Sequence, residues 1–365
     1  MDLTEKLRNH IGRVGAGDRI AIIYDTDPDG ICAAVIAAKA LKRLGKNAYI
    51  NIGISHSGEI LTERILLKLK SLGIRHTIIC DLAVDTKPEK LAALNRFSKA
   101  VIIDHHKLYN NLNSENILLI KPQLIETPIE PSQYCSSKLA YDLFSKITDI
   151  PDCDWISVIG IIADSSYGTW KRYCDRVMAK HGSRIKKDAF DTGFGKICNL
   201  MAYYEIYSRG KTKWLFELLL HAKSYKELSV IKRRIPEDIE KGIDDYCRNF
   251  REHSVSYRDS VIIDIKNPKF LIGAILSTRL GFIFPHKTVI VIQKRGKRIF
   301  VNGRRMDFRV AVNGLLEKSI TGLRDASAGG HVPSAGASLK SSDYNLFYTN
   351  LTKNLAKGST WKKGK

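Results

Sequence analysis

Five apolar residues in a row, Ile20-Ala21-Ile22-Ile23-Tyr24, run straight into Asp25-Thr26-Asp27-Pro28-Asp29-Gly30. An uninterrupted apolar run of this length reads as a buried strand of a parallel sheet with helices on its faces. Three carboxylates and a glycine at its end stand where open α/β sheets place their ligands, and where hard divalent cations bind. Two alternatives compete. Asp-x-Asp-x-Asp-Gly also opens an EF-hand loop, but that loop requires a glutamate at its twelfth position and a helix before it. Here the twelfth position is Ile36, and a strand precedes. A plain solvated turn would use Asp, Pro and Gly for their backbone preferences alone.

Strand-like runs at 20–24, 48–52, 76–80, 100–103 and 117–120 alternate with helical patterns at 31–44, 59–72 and 88–97. This is the rhythm of βαβ units. Segments 132–147 and 154–163 then read as helices, the first capped by Ser132 after Pro131. From about 170 to 250 the pattern is helical, charged and poor in strand signals, as in a connector. Strand-like runs return at 261–265, 288–293 and 298–302, followed by an amphipathic stretch at 308–316 and a turn at Gly329-Gly330. At 365 residues the chain is too long for one compact core. The expected division is a first α/β unit over 1–190, a helical connector over 191–253, a smaller α/β unit over 254–350 and a basic tail over 351–365.

A formal net charge of +21 implies an anionic partner, and polynucleotide phosphate is the commonest intracellular anion able to occupy such a surface. The excess is patterned. Lys171, Arg172, Arg176, Lys180, Arg184, Lys186 and Lys187 form one group; Lys294, Arg295, Lys297, Arg298, Arg304, Arg305 and Arg309 form another. Lys353, Lys357, Lys362, Lys363 and Lys365 close the chain, with Trp361 among them. Trp170, Tyr173 and Trp214 near these groups would stack bases or pack a core. The seven cysteines contain no Cys-x-x-Cys pair, which speaks against a zinc site or disulfide framework. No stretch approaches about 18 uninterrupted apolar residues and the N-terminus has no apolar signal region. The expectation is a soluble, cytoplasmic protein with no membrane partner.

Further acidic and histidine residues follow other predicted strands and helices: Asp81 after 77–80, Asp104-His105-His106 after 101–103, and Asp164 after 161–163. Parallel strands present their carboxyl ends along one edge, so these groups can converge with the first cluster. Carboxylate oxygen plus imidazole suits manganese, iron or zinc, and several aspartates favour manganese or magnesium.

Asp104-His105-His106, the upstream Asp-x-Asp-x-Asp-Gly, the intervening Asp81 and the later Asp164 together resemble the four-motif signature of the DHH phosphoesterase superfamily. Gly329-Gly330-His331, with Ala335-Gly336 just after, is similar to the motif of the DHH-associated substrate-binding domain. The resemblance implies an α/β fold: a parallel-sheet DHH domain joined by a helical connector to a smaller α/β DHH-associated domain with a mixed sheet. It implies two divalent metal ions, manganese first, with magnesium or cobalt as alternatives. Asp27 would ligate one metal, Asp29 and His105 the other, and Asp81 both, with Asp164, Asp104 and Asp25 completing the set. Asp81, His105 and His106 would be the catalytic groups. His106 would contact the scissile phosphate, and Arg304, Arg305, Gly329, Gly330 and His331 would hold a substrate phosphate. Ser165 and Ser166 read as residues that support the ligands from behind or that close a helix end.

Aspartates throughout the first motif resemble the RecJ-like branch of archaeal type more than the small-nucleotide branch. Val332-Pro333-Ser334 after the histidine departs from relatives that place proline directly there. The implied function is a RecJ-like exonuclease on single-stranded DNA or RNA, the substrate running between the two domains, with replication or repair proteins as further partners. The alternatives are an NrnA-type oligoribonuclease, pAp phosphatase or cyclic-dinucleotide phosphodiesterase, and an inactive replication or repair scaffold.

Overall fold

A computed structural model describes residues 3–55, 60–184 and 188–356. The chain divides into two compact units, 1–235 and 236–365.

In the first unit the order is α1 (Leu3–Gly12), β1 (Arg19–Asp25), α2 (Pro28–Arg43), β2 (Ala48–Ile54), α3 (Glu63–Ser71), β3 (Ile74–Cys80), α4 (Pro88–Asn95), β4 (Lys99–Ile103) and β5 (Ile117–Ile120). Helices α5 (Ser136–Phe144), α6 (Asp154–Ala163), α7 (Lys171–Lys180), α8 (Gly193–Ser208) and α9 (Lys213–His221) follow. The five strands form one parallel sheet in the order β2-β1-β3-β4-β5. Strand order therefore reverses beside β1, and the crevice outside the carboxyl ends of β1 and β3 is the topological switch point at which such sheets bind ligands.

Both faces of the sheet are covered, which is why its strands read as unbroken apolar runs. Ile20, Ile22 and Tyr24 enter a core with α2, α5, α6 and α8, while Ala21 and Ile23 enter a second core with Leu69, Leu91 and Leu94 of α3 and α4. Helix α6 is apolar on all sides and buried along Trp155, Ile156, Val158, Ile159, Ile161 and Ile162, as a helix without a solvent face must be.

The stretch expected as a connector, 191–253, is shared between the units. Phe194 and Met201 of α8, Leu215, Phe216 and Leu219 of α9, and Leu228 and Ile231 beyond them belong to the first unit's main core. Their apolar faces need cover, and the sheet's helical layer provides it.

The second unit consists of α10 (Glu237–Arg248), β6 (Ser254–Tyr257), β7 (Ser260–Lys266), α11 (Gly273–Ile283), β8 (Thr288–Arg295), β9 (Arg298–Arg304), α12 (Val312–Ser319), β10 (Ser327–Gly330), β11 (Ser334–Lys340) and α13 (Tyr344–Ala356). Its sheet runs β10-β11-β9-β8-β7-β6, parallel only between β7 and β8 and antiparallel elsewhere, so it is the mixed sheet expected. Ile290, Ile292, Ile299 and Val301 face α12 and α13; Val289, Val291, Val261 and Ile263 face α11.

All seven cysteines are free thiols, six of them buried. No helix among the described residues is long and apolar enough to cross a membrane.

Candidate active site

The acidic groups gather at the carboxyl edge of the first sheet. Asp25 ends β1 and is buried, with Asp81 just beyond the neighbouring β3 and Asp104 just beyond β4. Ladder bonds carry this edge into the turns: the Asp81 N–H donates to Ile103 O at 2.9 Å, and the Asp104 N–H to Ile120 O at 3.1 Å. Asp81 takes a left-handed φ of 60°, a conformation that Asp tolerates better than most residues.

Pro28 opens α2 and Asp27 is its N-cap, accepting the Gly30 N–H at 2.8 Å. Gly30 has no room for a side chain, since a Cβ there would sit 2.4 Å from the Asp25 carbonyl oxygen. Asp29 points inward from the first turn of α2. Its carboxylate accepts the Ser136 N–H at 2.7 Å and the Ser137 N–H at 3.1 Å, so it caps α5 from across the core. That replaces the cap expected from Ser132, which lies in a short 3-10 turn ahead of α5. The Ser136 hydroxyl donates to Asp81 Oδ1 at 2.9 Å, tying the second carboxylate to the same helix end. Gly160 of α6 makes this approach feasible: a Cβ there would lie 2.1 Å from Ser137 Oγ and 2.4 Å from Asp29 Oδ1.

His105 stands between two carboxylates, Nε2 at 3.4 Å from Asp81 Oδ1 and Nδ1 at 3.5 Å from Asp164 Oδ2. Asp164 caps the C-terminus of α6, and Ser165 follows with φ of 58°. The Ser166 N–H bonds back to Ile161 O and the Ser165 N–H to Ile162 O, a Schellman closure that accounts for both serines as helix-end residues. His106 Nδ1 lies 2.7 Å from Asp104 Oδ1.

Behind Asp104 is a lysine that the sequence does not flag. Lys121, fully buried, places Nζ 2.9 Å from Asp104 Oδ2 and 2.8 Å from Asp85 Oδ1, and also donates to the carbonyls of His106 and Lys107. Asp85 in turn accepts the Tyr109 N–H at 2.7 Å. The turn carrying the histidines is thus fixed by a buried ion network.

Burial raises the Asp81 carboxyl well above its ordinary range, and the charges of Asp29, Asp27, Asp25 and Asp104 push it the same way. Burial likewise raises Asp29, against the hydrogen bonds from Ser137 and Ser136. Burial also opposes ionisation of Asp104, yet His106, Lys121 and His105 hold its carboxyl well below the usual range. Asp29, His105 and Asp164 offer ligand atoms all within 4.8 Å of one another, as do Asp81, Asp104 and His106. Mutually repelling buried carboxylates with imidazole among them are a donor set that fits divalent cations.

Other predicted residues fall elsewhere. Arg305, expected to hold substrate phosphate, is buried and bidentate on Asp307, Nε to Oδ1 at 2.7 Å and Nη2 to Oδ2 at 3.0 Å. Strand alternation turns Arg304 to the other face, where its guanidinium meets Thr278 Oγ1 at 2.9 Å. The second basic group is split. Lys294, Arg295, Lys297 and Arg298 sit at the β8–β9 turn, whereas Arg304 lies six residue steps away, about 20 Å along β9 at the strand rise.

Arg304 shares its end of the sheet with the β10–β11 turn that carries His331. The His331 N–H is used within that turn, donating to Ser334 O at 2.7 Å. By the alternation of an antiparallel ladder, Gly329 faces β11 and Gly330 directs its N–H off the sheet edge. Gly330 has φ of 134° and its Cβ would meet Ser334 O at 2.5 Å, so only glycine fits there.

Of the first basic group, Lys171 pairs with Asp175 and Lys180 with Asp154; Lys186 and Lys187 lie outside the described residues, as do Lys357, Trp361, Lys362, Lys363 and Lys365 of the tail. The aromatics near these groups serve the protein itself. Trp170 covers the buried Lys138 and donates to Gln133 O, Tyr173 meets the Ser157 hydroxyl, and Trp214 packs on Tyr204 under Arg234.

Residues 19–161 match the DHH family, N-terminal domain. No curated protein matches the chain by sequence. Among solved structures, the chain is similar to RecJ in complex with Mn2+ from Thermus thermophilus at 14% identity and a TM-score of 0.69, over 97% of this chain and 55% of that one. It is also similar to exonuclease RecJ bound to manganese, at 16% identity and a TM-score of 0.65, over 98% of this chain and 94% of that one. A third similarity is to CDC45 from Entamoeba histolytica, at 10% identity and a TM-score of 0.58, over 97% and 98%. At these identities what is shared is the fold.

Proposed function

We propose that this chain, whose residues 19–161 are a DHH-family domain on a RecJ-like fold, is a divalent-metal-dependent phosphodiesterase acting as an exonuclease on single-stranded DNA or RNA. The observation that carries this reading is the convergence of Asp29, Asp81, Asp104, His105, His106 and Asp164 on one sheet edge, buried among mutually repelling carboxylates. Asp27 would hold one cation, Asp29 and His105 a second, and Asp81 both; Asp164, Asp25 and Asp104 complete the donor set. Manganese suits this mixture of carboxylate and imidazole. Divalent cations supply a bound water of lowered pKa and offset the charge on attacking and leaving oxygens.

The chain's own residues supply position. Asp104, neutralised from behind by Lys121, accepts from His106 Nδ1 and so fixes the orientation of the ring that would contact the scissile phosphate. Ser136 and the start of α5 keep Asp81 and Asp29 in place before any substrate arrives. In the second unit, the outward Gly330 N–H, His331 and Arg304 would hold a substrate phosphate. The net charge of +21 favours a polymer over a dinucleotide, since a strand offers many phosphates to contact.

The test is end-labelled single-stranded DNA, RNA and dinucleotides incubated with the protein in manganese, alongside an Asp81→Ala, His105→Ala variant. Cleavage of the polymers that disappears in the variant is expected. Activity surviving in the variant would sink the metal-site assignment, and cleavage of dinucleotides alone would turn the reading to a small-substrate phosphodiesterase.

A further inference from the structure

The loop between α8 and α9 lies against the first acidic motif, and no sequence signal marked it. Thr26, the residue between Asp25 and Asp27, donates its hydroxyl to Glu205 Oε1 of α8 at 3.1 Å. Gly210 comes so close that a Cβ there would sit 3.4 Å from Thr26 Oγ1 and 3.1 Å from Ser55 Cβ, just past the end of β2. Thr212 is buried, and a Cβ on Gly53 of β2 would meet its hydroxyl at 3.3 Å. The loop is therefore seated on the carboxyl ends of β1 and β2, beside the carboxylate cluster.

Its side chains alternate. Gly210 and Thr212 face the sheet, whereas Arg209, Lys211 and Lys213 are exposed, with Tyr207 at 47% exposure one turn before. Among the described residues no carboxylate pairs with Arg209, Lys211 or Lys213. Arg209 also holds φ of 54°, with Gly210 following at 75°. A left-handed position at a helix end favours glycine, so the arginine is kept there at a cost in backbone strain.

From this juxtaposition we infer that Arg209, Lys211 and Lys213 form a cationic rim that binds the phosphate backbone of single-stranded polynucleotide as it enters the acidic site, with Tyr207 offering a face for a base. The inference rests on the phosphodiesterase reading above and names where its polyanionic substrate is held. The need is electrostatic. Buried carboxylates repel a phosphate chain, and a rim of cations beside them offsets that repulsion and sets the strand's path. Cations interleaved with an aromatic face are what sequence-tolerant binding of single strands uses.

The experiment pairs two readouts on an Arg209→Gly, Lys211→Ala variant of the full chain. Binding of a fluorescent single-stranded 12-nucleotide DNA is followed by anisotropy in calcium, across a salt series. Loss of two phosphate contacts should weaken binding about tenfold at low salt and make the slope of log affinity against log salt shallower by about 1.4. The melting temperature of Arg209→Gly alone should hold or rise, because glycine relieves the left-handed strain. An Arg209→Lys, Lys211→Arg variant should keep the wild-type slope. A wild-type slope in the neutralised variant, or a lower melting temperature for Arg209→Gly, overturns the inference while leaving the phosphodiesterase reading intact. Absence of metal-dependent hydrolysis by the wild type would overturn that reading instead.

Discussion

Replacing Lys121 by methionine tests whether the histidine turn is held by a buried ion network. Methionine keeps most of the stem's volume and deletes the charge. Nζ now serves Asp85 Oδ1 at 2.8 Å, Asp104 Oδ2 at 2.9 Å, Lys107 O at 2.9 Å and His106 O at 3.3 Å, all away from water. Removing one partner of a buried pair costs about 3–5 kcal/mol because the remaining charge is left uncompensated. At about 2–4 °C per kcal/mol for a unit of this size, a loss of about 4 kcal/mol lowers the melting temperature by about 8–16 °C. Adding Asp85→Asn returns the network to its original net charge and keeps an acceptor for the Tyr109 N–H, so about half the loss should be recovered. Urea unfolding followed by circular dichroism, in metal-free buffer, measures all three proteins. A Lys121→Met cost under about 1 kcal/mol, or a double variant no better than the single, would refute the network's role.

Gly160→Ala places a methyl 2.1 Å from Ser137 Oγ and 2.4 Å from Asp29 Oδ1; it should cost about 1–3 kcal/mol by overpacking and weaken manganese binding, and an unperturbed calorimetric titration would argue against the close fit. Asp81→Asn removes a carboxylate raised by burial and by its acidic neighbours, so the metal-free protein should melt higher while losing most of a manganese-induced rise worth about 2.7 kcal/mol at a hundredfold excess over Kd; a lower metal-free melting point contradicts this. Ser136→Ala frees Asp81 Oδ1 and should weaken manganese binding about tenfold, read by electron paramagnetic resonance, with unchanged affinity as the contrary result. Asp307 is partly buried, but its hydrogen bonds from Arg305 and the Arg309 N–H hold its carboxyl at about 2 against an ordinary 3.8. A depressed folded value means the stabilisation is present above pH 3.8 and is lost as pH falls through about 2; Asp307→Asn should flatten that acid limb, followed by methyl resonances of Ile263 and Val291, and an unchanged limb excludes this pair as its source.

The fold was legible where one physical rule acts locally. Ile20 to Tyr24 read as a doubly covered strand because every position is apolar, and that follows from helices on both faces. The extent of the first unit was not legible. The charged surface of 191–235 conceals apolar faces such as Phe194, Met201 and Phe216, and only the fold reveals that they complete the first core. Arg304 and Arg305 show the same limit on a smaller scale. Adjacent in sequence, they point to opposite faces of the sheet edge, one toward Thr278 and the other buried on Asp307. Counting charge along the chain cannot separate them.

At the site, the acidic residues at strand ends could be found because a carboxylate after an apolar run is conspicuous. Their supports could not. Lys121 sits 36 residues from Asp85, and Asp29 caps a helix that begins 107 residues later. Those long-range bonds also change what the aspartates mean. Asp27 caps α2 and Asp29 caps α5, so each performs a structural task as well as the ligand task proposed for it. A carboxylate that accepts backbone N–H bonds is held in one rotamer and has part of its charge offset, which lets a buried acidic cluster exist before a cation binds. Among the described residues the Asp81 carboxylate accepts no backbone N–H bond of this kind. It has the Ser136 hydroxyl and the longer approach of His105 Nε2 at 3.4 Å, against four neighbouring acids, and so it is the residue at which an incoming cation would relieve the most repulsion.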